Sequence, residues 1–479
     1  MNMNFAGLHD LWPFTPCRNW LSTLIVVPLA MLVVGISLST PVLGQLISQT
    51  SAARVGLKRA WFTQVDLDPS QHRIANWLLH DNLLFAVTTA GTIHALEITT
   101  GKTAWSAQVG QPEYPTLGPV VNRQSVAVIN GTKLMLLDRA NGRLKWIRET
   151  GAASSSGPAL SEDRAFIALI NGRMEAFSLK DPKRPAWYHQ SFGHAYHRPV
   201  TTTKSICWTT DRGALYVGRL KPLSILFRLE TGGEIVAPPT AMAPYLLIGS
   251  ANGNLYCVHD QNGEVRWRYS SGDSITHAPV VVGDQVFITS DAPALHVLNA
   301  VTGQLQWTTA GVTQFVALGK THVYGADRYG RLIVLETKTG GMVGRLSRSR
   351  SQQFSGKLIS SSGGAPWSVR KPALINDQND RIFLVNNVGL IQCLHEIGAS
   401  EPVIYKQPAG EIEGDAASSA DEAEDVTRKS REQDSPTPTE VGQPNDASET
   451  DRDQDTITPP ESAPADDSPF GEDDSNPFS

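Results

Sequence analysis

The stretch Gly91-Thr-Ile-His-Ala-Leu-Glu-Ile-Thr-Thr-Gly-Lys-Thr-Ala-Trp105 returns as Gly253-Asn-Leu-Tyr-Cys-Val-His-Asp-Gln-Asn-Gly-Glu-Val-Arg-Trp267, and again as Ala294-Leu-His-Val-Leu-Asn-Ala-Val-Thr-Gly-Gln-Leu-Gln-Trp307. A near copy ends in Arg139-Ala-Asn-Gly-Arg-Leu-Lys-Trp146, and a degenerate one runs from Gly172 to Trp187. With Phe227 filling the gap after Gly213-Ala-Leu-Tyr-Val, the large aromatics fall at 105, 146, 187, 227, 267 and 307, a spacing of 40 or 41 residues. Self-similarity at a fixed period of this size marks a repeat architecture.

Each unit reads as four short strands. A first apolar stretch follows a proline, as in Ala278-Pro-Val-Val-Val-Gly283; the second is of the type Gln285-Val-Phe-Ile-Thr-Ser290. The third resembles Leu-Tyr-Cys-Val, and the fourth carries the tryptophan. Asn141-Gly142, Asn262-Gly263 and Thr302-Gly303 separate third from fourth, and such dipeptides supply the positive φ of a tight hairpin. Four strands per repeat of about 40 residues predict a β-propeller blade.

A seventh unit starts at Gly330 without a tryptophan, and an eighth starts at Gly389 and stops after Leu394-His-Glu396. The eighth lacks its outer strand, whereas Arg59-Ala-Trp-Phe-Thr-Gln-Val65 lacks inner ones. Pairing the two closes the ring, removes two open sheet edges and makes Trp61 the missing outer-strand tryptophan. The expected fold is therefore all-β, an eight-bladed propeller of four-stranded blades over residues 61–397; seven blades with a disordered end is the alternative. Trp61, Trp105, Trp146, Trp187, Phe227, Trp267 and Trp307 are expected to pack between blades, where a large ring fills the gap and the turn glycine permits close approach.

Outside the repeat, residues 1–20 form an N-terminal segment. Leu21–Leu38 is an uncharged run of 18 residues, just long enough to span a bilayer. Residues 21–44 are read as an apolar helix, either a signal peptide cleaved after Gly44 or a retained membrane anchor, and 45–60 as a linker. Both readings place the protein in the cell envelope. Residues 345–366 are a basic, Ser-rich insertion. Residues 398–479 are rich in Asp, Glu, Ser, Pro and Thr and are expected to be disordered. From Glu411 on there are 21 acidic and 4 basic residues, net −17, against net +11 for 1–410. The body's charge is spread along the chain, so nucleic-acid binding is not expected, and a monomer is.

The unit Leu-x-x-Leu-Asn/Asp-x-x-Thr/Asn-Gly-x-x-x-Trp resembles the tryptophan-docking repeat of pyrroloquinoline-quinone-type propellers across 61–397. It does not resemble WD40 repeats, since no Trp-Asp dipeptide occurs. Of the two branches sharing the repeat, the chain is more similar to the BamB-like, non-catalytic propellers of the bacterial envelope. That resemblance implies no cofactor and a scaffold for other proteins, in outer-membrane protein assembly. It departs from the branch in having no cysteine closely after the apolar run and in its acidic tail. The other branch would imply a pyrroloquinoline-quinone-dependent oxidoreductase with calcium, yet the adjacent cysteines common beside that cofactor are missing. A membrane-anchored ligand-binding sensor is the third reading.

Three further features stand out. Cys207, Cys257 and Cys393 form no CxxC pair and read as small buried side chains. His189, His194 and His197 could hold a metal but fit an ordinary inter-blade loop better. Asp211-Arg-Gly213 and Asp327-Arg-Tyr-Gly330 occupy matching places and read as turns with a local ion pair. The oxidoreductase reading is tested by adding quinone and calcium: absent absorbance change and dye reduction, it is removed.

Overall fold

The computed structural model describes residues 46–346 and 374–405. Eight antiparallel sheets follow one another along the chain, seven with four strands and the last with three among the described residues. Blades 1 to 7 span 74–108, 116–149, 159–190, 200–230, 240–270, 280–310 and 314–346. In each, the strands are hydrogen-bonded in chain order from the first to the fourth. The N-terminal residues 1–45, the insertion beyond Leu346 and the chain beyond Tyr405 lie outside the described residues. Among the described residues, no helix is long and apolar enough to cross a membrane.

The burial pattern explains why the repeat was readable. Second strands such as Leu83–Thr88 and Ser125–Asn130 are buried at every position, because each middle strand is covered by a blade on either side; they appear in sequence as continuous apolar runs. Outer strands touch solvent on their outward edge. Thr103–Gln108 and Leu305–Ala310 share one pattern in which the tryptophan alone is buried.

The ring is closed by chain ends. Leu57–Gln64 pairs antiparallel with Leu390–Glu396 and sets Trp61 opposite Cys393, while Ile382–Val385 lies on the inner side. Residues 374–376 extend this blade inward: Leu374 N–H donates to Phe383 O at 3.0 Å, and Asn376 N–H donates to Val316 O of blade 7 at 2.8 Å.

At the seams, the tryptophan of one blade lies over the last turn of the next. The indole N–H groups of Trp61, Trp105, Trp146, Trp267 and Trp307 donate to the carbonyls of Ile98, Arg139, Leu179, Ala300 and Thr337 at 2.8–3.2 Å. A Cβ added to Gly101, Gly142, Gly303 or Gly340, all at positive φ, would stand 2.3–2.5 Å from the facing ring. Phe227 has no N–H to give, and its ring faces Gly263 at a looser 3.1 Å. Trp187 packs with Leu220 and Leu223 of blade 4, a turn that lacks the glycine.

The seam between blades 7 and 8 is different. Gly344 stands opposite Val334, the register that Trp307 holds opposite Val297. A Cβ on Gly344 would meet Val55 at 3.2 Å. Residues 45–60, expected to be a linker, are thus corrected: they hold a short helix, Gln49–Ala53, and the start of the closing strand. Ile47, Ala52 and Leu57 are buried with Leu346 and Leu394, and Val55 packs beside them. Apolar side chains from before the first strand fill the seam that has no indole.

The expected start of the tail at 398 is also corrected. Arg381 donates to Ala399 O and Ser400 O at 2.7 and 2.6 Å, and Tyr405 donates to Leu318 O at 3.0 Å, so the chain stays on the ring through Tyr405.

Gly272 has a positive φ but open space around its Cβ direction. Gly272→Ala is expected to lose about 1 kcal/mol from backbone strain alone. Gly142→Ala meets the Trp105 ring as well and is expected to lose a further 2 kcal/mol or so from overpacking. Urea denaturation of the two variants measures the difference.

Candidate partner-docking surface

The seven aromatics named from the sequence lie at seams, against the last turn of the next blade. The three histidines do not converge. His189, placed in the fourth strand of blade 3 and not in the loop after it, stacks on Trp187 and leans edge-on to Trp208. His194 Nδ1 lies 3.3 Å from Asp211 Oδ2. His197 Nε2 lies 3.3 Å from Ile235 O. Burial pushes the His189 and His197 imidazoles below their usual pKa. The two Asp-Arg turns face other partners than the adjacent arginine: Asp211 lies beside the His194 imidazole, and Asp327 forms an ion pair with Arg331 at 2.7 Å.

The cysteines sit in blades 4, 5 and 8, each buried and free. Among the described residues, no three His, Cys, Asp or Glu side chains converge as metal ligands.

Blade topology assigns every loop to one of two faces. Turns joining second to third strands, and connections between blades, emerge on one face. Turns joining first to second and third to fourth strands emerge on the other. On the first face, blades 3 and 4 present a group of exposed apolar and aromatic side chains: Ile170, Tyr188, Phe192 and Tyr196, the last three 54–63% exposed. Arg173 stands 3.6 Å from the Tyr188 ring centroid, and Arg212 lies over Phe192 at 5.9 Å. His194 stacks on Tyr196.

The loop carrying Phe192 and Tyr196 is held from beneath. Its residue Phe192 donates its N–H to Tyr216 Oη at 2.9 Å, and Trp208 Nε1 donates to Ser191 Oγ at 2.9 Å. Trp208 and Tyr216 stack almost parallel, 5.3 Å apart. Gly193, at φ +88°, approaches the next turn so closely that a Cβ would stand 2.5 Å from Asp211 Oδ1. His194 N–H also donates to that carboxylate at 2.8 Å. Ser155 and Ser156, in the connection between blades 2 and 3, reach the carbonyls of Ala195 and His197. Exposed rings on a backbone fixed in this way lose little entropy on binding. Aromatic and Arg side chains together have the composition of interface hot spots. Sequence reading singled out this stretch for its histidines and passed over its aromatics, which alternate with them.

A family model described as outer membrane protein assembly factor BamB matches residues 59–222 and 221–423. The chain belongs to that family. The BamB of Shewanella oneidensis is 22% identical over 47% of this chain and 68% of its own length. The BamB of Salmonella typhimurium is 23% identical over 54% of this chain and 62% of its own length. The chain thus spans about two thirds of the curated relatives it matches. The crystal structure of BamB from Moraxella catarrhalis superposes with a TM-score of 0.52 at 15% identity, covering 71% of this chain and 97% of that one. The computationally designed Ika8 protein gives the same TM-score and identity over 68% of this chain. At such identities both speak to the fold alone.

Burial raises the thiols of Cys207, Cys257 and Cys393 to about 12. An unfolded thiol ionises near pH 8.5, so above that pH the unfolded state sheds protons the folded state keeps, and stability falls as pH rises toward 12. Each thiol contributes a slope of about 1.4 kcal/mol per pH unit there. Urea denaturation between pH 8 and 10 is expected to show the decline, and Cys207→Ala to make it shallower.

Proposed function

We propose that the chain is a non-catalytic, protein-binding scaffold of the cell envelope, acting in outer-membrane protein assembly and docking its partner on the rim of blades 3 and 4. The observation that carries this reading is the fixed loop 191–197, which holds Phe192 and Tyr196 in solvent where a monomer gains nothing from exposing them. Membership of the family supports the pathway, and the names of the relatives give the class of partner to look for.

The geometry suits a scaffold in a second way. The eight seams hold the ring rigid, so loops on one face keep a fixed spacing and a partner meets a preformed surface. Arg173 and Arg212 extend the apolar rim with donors that pair with carboxylates or main-chain carbonyls. An exported full-length chain carrying an affinity tag is expected to co-purify with outer-membrane assembly components, identified by mass spectrometry. Paired substitution Phe192→Ala with Tyr196→Ala is expected to weaken that capture at least tenfold while leaving the far-ultraviolet spectrum unchanged. If such components never co-purify, the assembly role fails; if the double variant captures them equally, the rim is not the site.

A further inference from the structure

The opposite face has a different character. In blades 2, 3 and 4, its turns carry exposed Arg143, Lys180, Lys183, Arg184, Lys204 and Arg219, and none has an ion-pair partner among the described residues. Their neighbours are already neutralised: Arg123 by Glu162, Lys145 by Asp138 and Lys221 by Asp163. Two of these pairs cross from blade to blade, so the turns form one continuous surface. Asp181 is the acid left within the group, and its carboxylate accepts from the Lys183 backbone N–H at 3.2 Å. Asp260, at the blade 4–5 border, is buried and bonded to Thr202 Oγ1. Six unpaired cations against one unpaired acid leave the sector strongly positive.

The chain enters the ring on this same face. Gly56 O accepts from Ile397 N–H at 2.9 Å, in the turn that follows Glu396, and Leu57 opposes Glu396 in the closing pair. In sequence, seven residues separate the end of the apolar run at Leu38 from Leu46, a reach of at most about 25 Å. The sector also offers no exposed aromatic anchor among the described residues of blades 2–4. Lysine without aromatic anchors is depleted in protein interfaces, whereas clustered Lys and Arg on a broad surface suit anionic headgroups.

We propose that this face lies against an anionic lipid surface, with the turns of blades 2–4 binding phospholipid headgroups. The ring then stands with its aromatic rim turned away from the bilayer, free for a protein partner. The attraction is electrostatic and screened by salt, and each cation contributes roughly a fivefold gain in partitioning.

The test uses the full-length chain with vesicles of pure phosphatidylcholine or of phosphatidylcholine with 40 mol % phosphatidylglycerol, the latter a composition of about the anionic content for which headgroup attraction is strong. The ratio of partitioning onto the two vesicle types is measured, so that any insertion common to both cancels. A ratio of about a hundred or more is expected, falling about a hundredfold in the triple variant Lys183→Gln, Arg184→Gln, Lys204→Gln, and collapsing at high salt. A photo-crosslinking residue at position 183 is expected to label lipid, and one at Tyr329, on the opposite face, is not. A ratio near one for the unmodified chain, a ratio untouched in the triple variant, or equal labelling from 183 and 329 overturns the proposal. So does preference for polyglutamate over the anionic vesicles, which would assign the sector to an acidic protein.

Discussion

An indole seated on the glycine of the neighbouring turn is the contact on which this molecule depends. Each blade is apolar on both sides, so no blade can stand in water alone, and a middle strand buried at every position has meaning only between two neighbours. The ring of the tryptophan fills the wedge that twisted sheets leave toward the rim, and its N–H satisfies a carbonyl that the turn would otherwise bury unpaired. The positive φ of the glycine and the lack of a Cβ allow the ring to come within contact distance of backbone. One pair of residues thereby sets blade spacing, turn type and hydrogen bonding together.

This economy explains what could be read in the sequence. Trp61, Trp105, Trp267 and Trp307 meet Gly101, Gly142, Gly303 and Gly340 because the same physical pair recurs, and the spacing it imposes on the sequence gives the blade number. The union of Arg59–Val65 with Gly389–Glu396 was legible as well, since each fragment lacked what the other supplied. The last seam was not legible. Its signal is an absence, Gly344 where an indole stands elsewhere, and its filler comes from a segment outside the repeat: Ile47, Ala52 and Val55 look like linker because they follow no strand or helix period.

The docking rim was hidden for a related reason. Phe192 and Tyr196 lie in a connection between blades, which the repeat does not constrain, and only the fold shows that Tyr216, Trp208 and Asp211 hold that connection from three sides. Exposure is not written in a residue type; an aromatic in a β-rich chain is core until the topology puts it on a loop. The cationic sector was invisible in the same way, since its lysines and arginines are scattered over about 80 residues of chain and meet only because successive blades bring equivalent turns side by side.

Closing a circle with the two ends of the chain has a consequence for biogenesis. Trp61 meets Cys393, so the earliest strand to emerge waits for nearly the last before its backbone donors and acceptors are matched. Through that interval it is a naked edge, the kind that recruits other strands, and long-range pairings of this kind form late. An incomplete product, cut short before Leu390, would build most of its blades and still be unable to shut. The late-arriving hairpin therefore works as a check on the ring: a molecule that has latched is one whose blades have all been made.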